Sequence, residues 1–423
     1  MRWMRAAGRG LLAAAVVLAG YSGLGQRAEG ADRHGRGPLT LATAGDLTDY
    51  LAPLLDDWNR DHPGERVTLV ELPDSADETR AQMISELRSG SGRFDVLNMD
   101  VAWTTEFAAA GWIAPLERDR FPVDSFLPPV VDTAMFGDRL YALPYVTNAG
   151  LLYYRKDILD EAGEQPPRTW ADLERQARTL APLHGIDGYA GQFLPYEGLT
   201  VNVTEAIQSA GGTVLGDDGN RVAVDSPAAR AGLEFLASGV REGWIAPEAL
   251  TYTEEKSRTA FQNGGLLFLR NWPYVYADAS APGSKVAGRF GAVPLPGRDG
   301  PGSSVLGGSN LAVSARSRHA ASADDLLAYL TSEPVQRRVL TQGAQPPVRA
   351  ALYEDPALIA AYPYLPTLRQ SILSAVPRPK SPRYGQVSLA VQAVGQDLLA
   401  QRESPDEAAR RLARELGTIA GAH

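Results

Sequence analysis

Carboxylate, carboxamide, guanidinium and indole side chains occur in this sequence where apolar runs end. Asp100 and Trp103 follow the run Phe94 to Met99, and Trp272 follows Leu266 to Leu269. An acidic side chain at the carboxyl end of a strand lies where open α/β sheets bind ligands, and an indole can cover an apolar ligand face. The alternatives are structural: Asp100 would cap the following helix, and Trp103 would fill the core.

Three further stretches carry candidate groups. Asn148 ends the segment Tyr145 to Asn148, which suits either a turn or a strand that crosses between domains. Gly307 and Gly308 precede a predicted strand, where only glycine lets a ligand approach the backbone closely, although a plain tight turn explains the pair equally well. Arg378 opens a proline-punctuated loop of a kind that usually faces solvent.

The combined set of carboxylates, carboxamides, an arginine and indoles favours an uncharged polyol as ligand. A glycoside hydrolase is one alternative, with Asp100 and Glu205 as carboxylates about 5 to 9.5 Å apart across the scissile bond. Glu205 and Asn202 could equally lie on a solvated helix face. The other alternative is a phosphorylated or iron-bearing solute. Tyr153 and Tyr154 would not ligate one ion, because adjacent strand residues point to opposite faces.

The composition excludes several other classes of function. The 423 residues contain no cysteine, so disulfides, thiolate metal sites and thiol nucleophiles are ruled out. The five histidines are scattered, and no phosphate-binding loop, dinucleotide fingerprint or hydrolase elbow occurs. The formal charge of −9 argues against nucleic-acid binding. We therefore expect no cofactor, no metal and no catalytic residue.

Residues 1–30 have the pattern of a secretory signal. Three arginines precede an apolar run from Leu11 to Gly20, which is too short to span a bilayer as a helix. The segment Leu-Ala-Gly-Tyr that ends at Tyr21 resembles the lipobox of bacterial lipoproteins, with tyrosine in the position of the lipidated cysteine. Because tyrosine cannot form the thioether, we expect an exported, extracytoplasmic protein that is secreted or weakly tethered to the membrane.

Hydrophobic periodicity predicts an α/β fold. Leu39 to Thr43, Val67 to Leu72 and Phe94 to Met99 are predicted strands, and amphipathic helices separate them. This order, with short connections, predicts a parallel sheet covered by helices, with any ligand at the carboxyl ends of the strands. Later predicted strands are Leu140 to Leu143, Leu151 to Tyr154, Leu266 to Phe268 and Phe290 to Val293, and later helices are Asp157 to Ala162, Trp170 to Leu180, Thr204 to Ala210, Pro227 to Glu242 and Glu254 to Gln262.

Six stretches carry a more specific pattern: FDVLNMDVAWTTEFAAAGWIAPL (94–116), RLYALPYVTNAGLLYYRKDILDEAG with TWADL (139–173), EGLTVNVTEAIQSAGG (197–212), NWPYVYA (271–277), VPLPGRDG with LGGSNLAVS (293–314) and RPKSPRYGQVS (378–388). In this order the chain resembles the extracellular solute-binding proteins that serve ABC sugar importers, in particular those that bind maltose and trehalose. The resemblance covers almost the whole chain after the signal segment.

The resemblance implies a two-lobed α/β fold of the periplasmic-binding-protein type II, with a hinge of about three crossover segments and a helical C-terminal tail. It implies crossovers near Val146, Pro294 and Glu333. The expected N-terminal lobe is then 39–146 plus 294–333, and the expected C-terminal lobe is 147–293 plus 334–423.

The resemblance also implies a function without enzymatic activity. The expected ligand is a neutral α-glucoside disaccharide, trehalose first and maltose or maltodextrin next, and the expected partner of the monomer is an ABC permease. One departure is Ser309, where several relatives have a stacking tryptophan after the glycine pair. By motif, Trp272 would stack on the sugar, the Gly307-Gly308 turn would offer backbone N–H groups, and the other ligand-binding residues would be Asp46, Arg80, Asp100, Asn148 and Arg378.

Overall fold

The computed structural model describes residues 34–216 and 219–421. The predicted signal segment and Tyr21 lie outside these residues. Within the described ranges, none of the helices combines the length and the apolar character that a membrane crossing requires.

The strands of the described chain form two main sheets and a small hairpin. The first sheet has the order β12-β11-β3-β1-β2, with β6 also paired to β11, and the second has the order β10-β7-β9-β8. In chain order the strands are β1 (Leu39–Ala44), β2 (Val67–Leu72), β3 (Val96–Asp100), β4 (Met135–Phe136), β5 (Arg139–Leu140), β6 (Leu143–Ala149), β7 (Leu151–Arg155), β8 (Asp187–Ala190), β9 (Leu266–Asn271), β10 (Phe290–Pro294), β11 (Val305–Val313) and β12 (Val376–Pro377).

Helices cover both sheets, and short 3-10 turns join several of them. The α-helices are α1 (Thr48–Asp61), α2 (Ala76–Ser89), α3 (Thr104–Ala109), α4 (Pro128–Thr133), α5 (Lys156–Ala162), α6 (Trp170–Leu180), α7 (Glu197–Ser209), α8 (Pro227–Arg241), α9 (Glu254–Gln262), α10 (Val275–Ser280), α11 (Ala320–Leu330), α12 (Glu333–Gly343), α13 (Pro356–Ala361), α14 (Leu365–Ser374), α15 (Tyr384–Leu399) and α16 (Pro405–Gly421).

The first sheet begins as the sequence predicts. Strand β1 pairs in parallel with β2 and β3, and α1 and α2 make the crossovers. Leu41, Val96 and Leu97 are fully buried, as expected for strands that helices cover on both faces. Because β1 and β3 are parallel, their carboxyl ends lie at one edge of the sheet.

The chain passes directly from the first sheet to the second at Gly150. Strand β6 pairs with β11 as far as Ala149, and β7 begins one residue after Gly150 and pairs with β9 and β10. Residues 145–148, which suit either a turn or a crossing strand by sequence, therefore lie in strand β6, whose register with β11 shifts at Tyr145.

Helix α12 packs on α1 beside the first sheet. Val335 and Val339 are buried there, and the Arg338 guanidinium lies 2.6 Å from the Asp57 carboxylate on α1. The crossover expected near Glu333 thus coincides with the start of a helix that packs on α1. The apolar face of α12 keeps the chain beside the first sheet at least to Gly343.

Candidate functional site

The register of the first sheet brings four of the predicted site residues to one edge. Ser309 of β11 lies opposite Asp100, the last residue of β3, and Gly307 lies opposite Asn148 near the end of β6. Residues opposite each other in neighbouring strands point to the same face. Arg378 follows β12, which pairs with the beginning of β11, so it reaches the same edge.

Asp100 caps a turn, as its structural alternative predicted, and it also pairs with Arg378. Its Oδ1 accepts a hydrogen bond of 2.8 Å from the backbone N–H of Ala102, so it caps the 3-10 turn Val101–Trp103. The same oxygen accepts a hydrogen bond of 2.6 Å from Arg378 Nη2. Among the described residues, none donates a hydrogen bond to Oδ2, and the side chain is partly exposed. Trp103 is buried in the core, as its structural alternative predicted.

Arg378 does not face solvent but joins two carboxylates, and only 4% of it is exposed. Besides Asp100, it donates a hydrogen bond of 2.6 Å from Nη1 to Glu197 Oε1 at the start of α7. Glu197 also accepts hydrogen bonds from the Ser388 hydroxyl, at 2.6 Å, and from the Tyr384 hydroxyl. Burial raises the pKa of Glu197 above its ordinary value, although Arg378 acts in the opposite direction.

The glycine pair lies inside β11 and does not form the expected turn, because the strand continues through it to pair with β6. On the other side of β11, β12 pairs as far as Leu306 and β3 begins at Ser309. Neither of these strands pairs with Gly307 or Gly308, so one backbone edge of the pair faces the gap that Arg378 and Asp100 flank.

Gly308 is required by its backbone. Its φ of +112° is a conformation that residues with a side chain rarely adopt, and a Cβ atom would overlap the carbonyl oxygen of Val146. We expect Gly308→Ala to lower the free energy of unfolding by about 2 kcal/mol or more in urea titrations. The control is Gly64→Ala, since a Cβ there meets no atom within 4 Å. An equal effect of the two substitutions would contradict this interpretation.

Trp272 follows β9 of the second sheet and reaches the glycine pair. A Cβ atom on Gly307 would lie 2.9 Å from the indole Cζ3 and 3.4 Å from Asn148 Cβ, so these three residues are in contact range. The guanidinium carbon of Arg270 lies 4.1 Å from the indole centroid on one face. The ring is half-buried, and no other aromatic ring stacks on it among the residues that the structure describes. The exposed part of the ring is thus available for an apolar ligand surface.

Arg80 and Asp77 of α2 extend the site. Arg80 forms a bidentate ion pair with Glu106, at 2.9 and 2.5 Å, and its guanidinium lies against Gly385 at the start of α15. Asp77 Oδ2 accepts a hydrogen bond of 3.2 Å from the backbone N–H of Glu197. Asp46 belongs to the turn Gly45–Leu47 after β1, and its side chain lies outside the described part of the structure.

Several residues of this network were not predicted as site residues: Asp77, Glu106, Glu197, Arg270, Tyr384 and Ser388. Glu197 and Tyr384 lie in stretches quoted for the resemblance, but neither type nor spacing distinguishes them from surface residues. The sequence signal that could have identified Glu197 lies in α7 itself. Residues 197–207 contain only two charged side chains in an otherwise neutral helix. Charges in such a helix are buried and need partners.

The hydrolase alternative pairs Asp100 with Glu205, but the structure buries Glu205 among partners. Glu205 is 4% exposed and its oxygens accept hydrogen bonds from Arg270, Ser304 and the backbone of Val305. Asn202 is also buried and donates to the carbonyl oxygen of Gly198, so neither residue lies on a solvated helix face. Within the described chain, no group of three or more potential metal ligands comes together.

Comparison with known proteins identifies the family. A family model for the bacterial extracellular solute-binding protein matches residues 44–337. The chain belongs to this family. A probable ABC transporter-binding protein of Deinococcus radiodurans is 33% identical to this solute-binding protein over 377 residues, which are 86% of this chain and 89% of that protein. A mannitol-binding protein of Pseudomonas aeruginosa is 25% identical over 74% of both chains.

Solved structures give the same result for the fold. The maltose-bound MalE3 of T. maritima matches this solute-binding protein with a TM-score of 0.85 and 33% identity, over 90% of this chain and 99% of that one. The GacH receptor of Streptomyces glaucescens, solved with and without acarbose, matches with a TM-score of 0.81 and 23% identity, over 92% and 99%. The family resemblance and the two-lobed periplasmic-binding-protein fold are thereby confirmed.

Proposed function

We propose that this protein is the substrate-binding component of an ABC sugar importer. Its ligand would be a neutral α-glucoside disaccharide, trehalose first and maltose or maltodextrin next. The observation that carries the proposal is the half-buried indole of Trp272, which reaches Gly307 of the sheet edge that Asp100, Asn148 and Arg378 also occupy. An aromatic face suits the C–H surface of a pyranose, while carboxylate and guanidinium groups form charge-assisted hydrogen bonds with its hydroxyls.

Such a site is strong enough without covalent chemistry. A net hydrogen bond contributes roughly 0.5 to 1.5 kcal/mol, and somewhat more when one partner is charged. About eight of these bonds and a buried aromatic face could reach the roughly −8 kcal/mol of micromolar binding after ordering costs. The maltose bound to T. maritima MalE3 and the acarbose bound to GacH support an oligosaccharide ligand.

Delivery would follow from closure of the two lobes. A ligand that contacts both sheets binds the closed state better and shifts the hinge equilibrium towards it. Residues 39–146 plus 294–333, extended by α12, would form one lobe, and most of the remainder the other. The exported monomer, with Tyr21 at the lipobox position, would then present its closed form to the membrane permease.

The test is binding to purified protein by thermal shift and calorimetry across trehalose, maltose, sucrose, cellobiose, mannitol and glycerol phosphate. We expect micromolar binding of an α-glucoside, with no glucose released on prolonged incubation. Binding of glycerol phosphate or mannitol alone would contradict the assignment of the ligand. Release of glucose would instead support the hydrolase alternative, in spite of the partners that occupy Glu205.

A further inference from the structure

Beneath the Trp272 ring, a buried ion pair connects the second sheet to the crossover backbone. Arg270, on β9, is 1% exposed. Its Nε and Nη2 each donate a hydrogen bond of 2.6 Å to a different oxygen of Glu205 on α7. Such a bidentate pair fixes the plane of the guanidinium group. The same group lies 4.1 Å from the indole centroid of Trp272, within the range of a cation–π interaction.

Glu205 extends this contact to the two segments that pass between the sheets. Its Oε1 accepts hydrogen bonds from the Ser304 hydroxyl, at 2.9 Å, and from the backbone N–H of Val305, at 3.1 Å. These residues stand where the chain enters β11. The Ser304 hydroxyl oxygen also accepts a hydrogen bond of 2.6 Å from the backbone N–H of Gly150, the residue between β6 and β7.

The pair packs tightly against the crossover backbone at Gly150. A Cβ atom on Gly150 would lie 2.8 Å from Glu205 Oε1 and 2.9 Å from Arg270 Nη2. A change in the backbone at Gly150 or Ser304 therefore displaces the carboxylate, and with it the guanidinium that supports the indole.

We propose that Arg270 and Glu205 are positioning residues that couple the Trp272 ring to the hinge. The inference rests on the proposed function, because it takes Trp272 as the surface on which the sugar stacks. The pair holds the ring in its binding orientation only while the crossover backbone keeps its present geometry. Ligand contact and lobe closure are then one event: a sugar on the exposed part of the indole stabilises the ring, the ion pair and the crossover geometry that holds them.

The variant that tests this coupling neutralises both partners at once. A single substitution would leave a bare buried charge and damage the fold, so we choose Arg270→Met with Glu205→Gln. The matched control is Arg155→Met with Asp157→Asn, which removes another bidentate pair of the second sheet, with bonds of 2.8 and 2.6 Å.

Closure is measured by energy transfer between dyes on Asp61→Cys of α1 and Glu161→Cys of α5. Both positions are exposed, and the chain has no other cysteine. With maltose as the probe, we expect the neutral Arg270/Glu205 variant to bind at least about tenfold more weakly and to show less than about half of the wild-type transfer change at saturation. The control should match the wild type. Wild-type affinity and amplitude in the neutral variant would overturn the coupling.

A second measurement needs no sugar. The contribution of Trp272 to the near-ultraviolet circular dichroism is obtained by subtracting the spectrum of a Trp272→Phe variant from that of the same protein with Trp272. We expect this difference to be largely lost in the neutral Arg270/Glu205 background and retained in the control. If the circular-dichroism difference is unchanged in the neutral Arg270/Glu205 background, the positioning role is wrong, whatever the affinity for maltose. If the circular-dichroism difference is lost but the wild-type protein binds none of the tested sugars, the proposed function is refuted and the positioning role is retained.

Discussion

Trp272→Ala should weaken maltose binding by about 10- to 100-fold while leaving the protein folded. Burial of an aromatic face is worth about 1.5 to 3 kcal/mol, which corresponds to that range of affinity. The ring is half-buried and packs on Gly307 and Arg270, so the fold loses only part of its contacts. Calorimetric titration measures the affinity, and the thermal midpoint without sugar measures the fold.

Two controls separate stacking from packing. Trp272→Phe keeps an aromatic face and should recover most of the affinity. Trp58→Ala removes an indole that stacks on His62 with centroids 3.8 Å apart, near the end of α1 that lies away from the carboxyl ends of β1 and β3. It should lower the thermal midpoint and leave maltose binding unchanged. Affinity that falls equally in Trp272→Ala and Trp58→Ala would refute the stacking role.

Arg378→Met should be the most destabilising substitution in the site. It leaves the Asp100 and Glu197 carboxylates without their shared cation, and Glu197 is 5% exposed. Breaking a buried ion pair from one side costs about 3 to 5 kcal/mol. Urea unfolding measures this loss. Adding Glu197→Gln should restore part of it, whereas Arg402→Met, at an exposed pair with Asp397, should cost less than about 1 kcal/mol.

The stability that Arg378→Met loses should also depend on pH in a defined direction. Burial raises the pKa of Glu197 in the folded protein, and without Arg378 the pKa rises further. A carboxyl group whose pKa is higher in the folded than in the unfolded state favours folding at low pH, and this contribution is lost as the pH rises through the folded pKa. The difference between wild type and Arg378→Met should therefore be larger near about pH 8 than near about pH 5. The opposite trend would show that Glu197 stays ionised without Arg378.

Much of the fold could be predicted because local patterns specify it. The predicted strand Val67 to Leu72 and the predicted helices Trp170 to Leu180 and Glu254 to Gln262 agree with the structure at both ends. Their apolar residues alternate or recur at helical spacing, since one face is buried and the other is not. Asp100 and Trp272 could be chosen as candidate site residues because they follow the predicted strands β3 and β9, although the residues that they contact could not be predicted.

The rest depends on contacts between distant segments. Helix α7 begins seven residues before its predicted start at Thr204, because it is buried along nearly its whole length and has no polar face to reveal the period. The partners of Arg378 are 278 and 181 residues away. No spacing in the sequence indicates that they meet. The strand character of the glycine pair likewise depends on pairing with β6.

The hydrogen bond from Glu197 to Asp77 has a consequence for selectivity. It joins Asp77 to the network of Glu197, Arg378 and Asp100, beside which Arg80 pairs with Glu106. Four acidic groups against two cations give this end of the site an excess of negative potential. A sugar that carries a phosphate ester would be repelled before any contact forms, so discrimination between free and esterified sugars would need no dedicated residue.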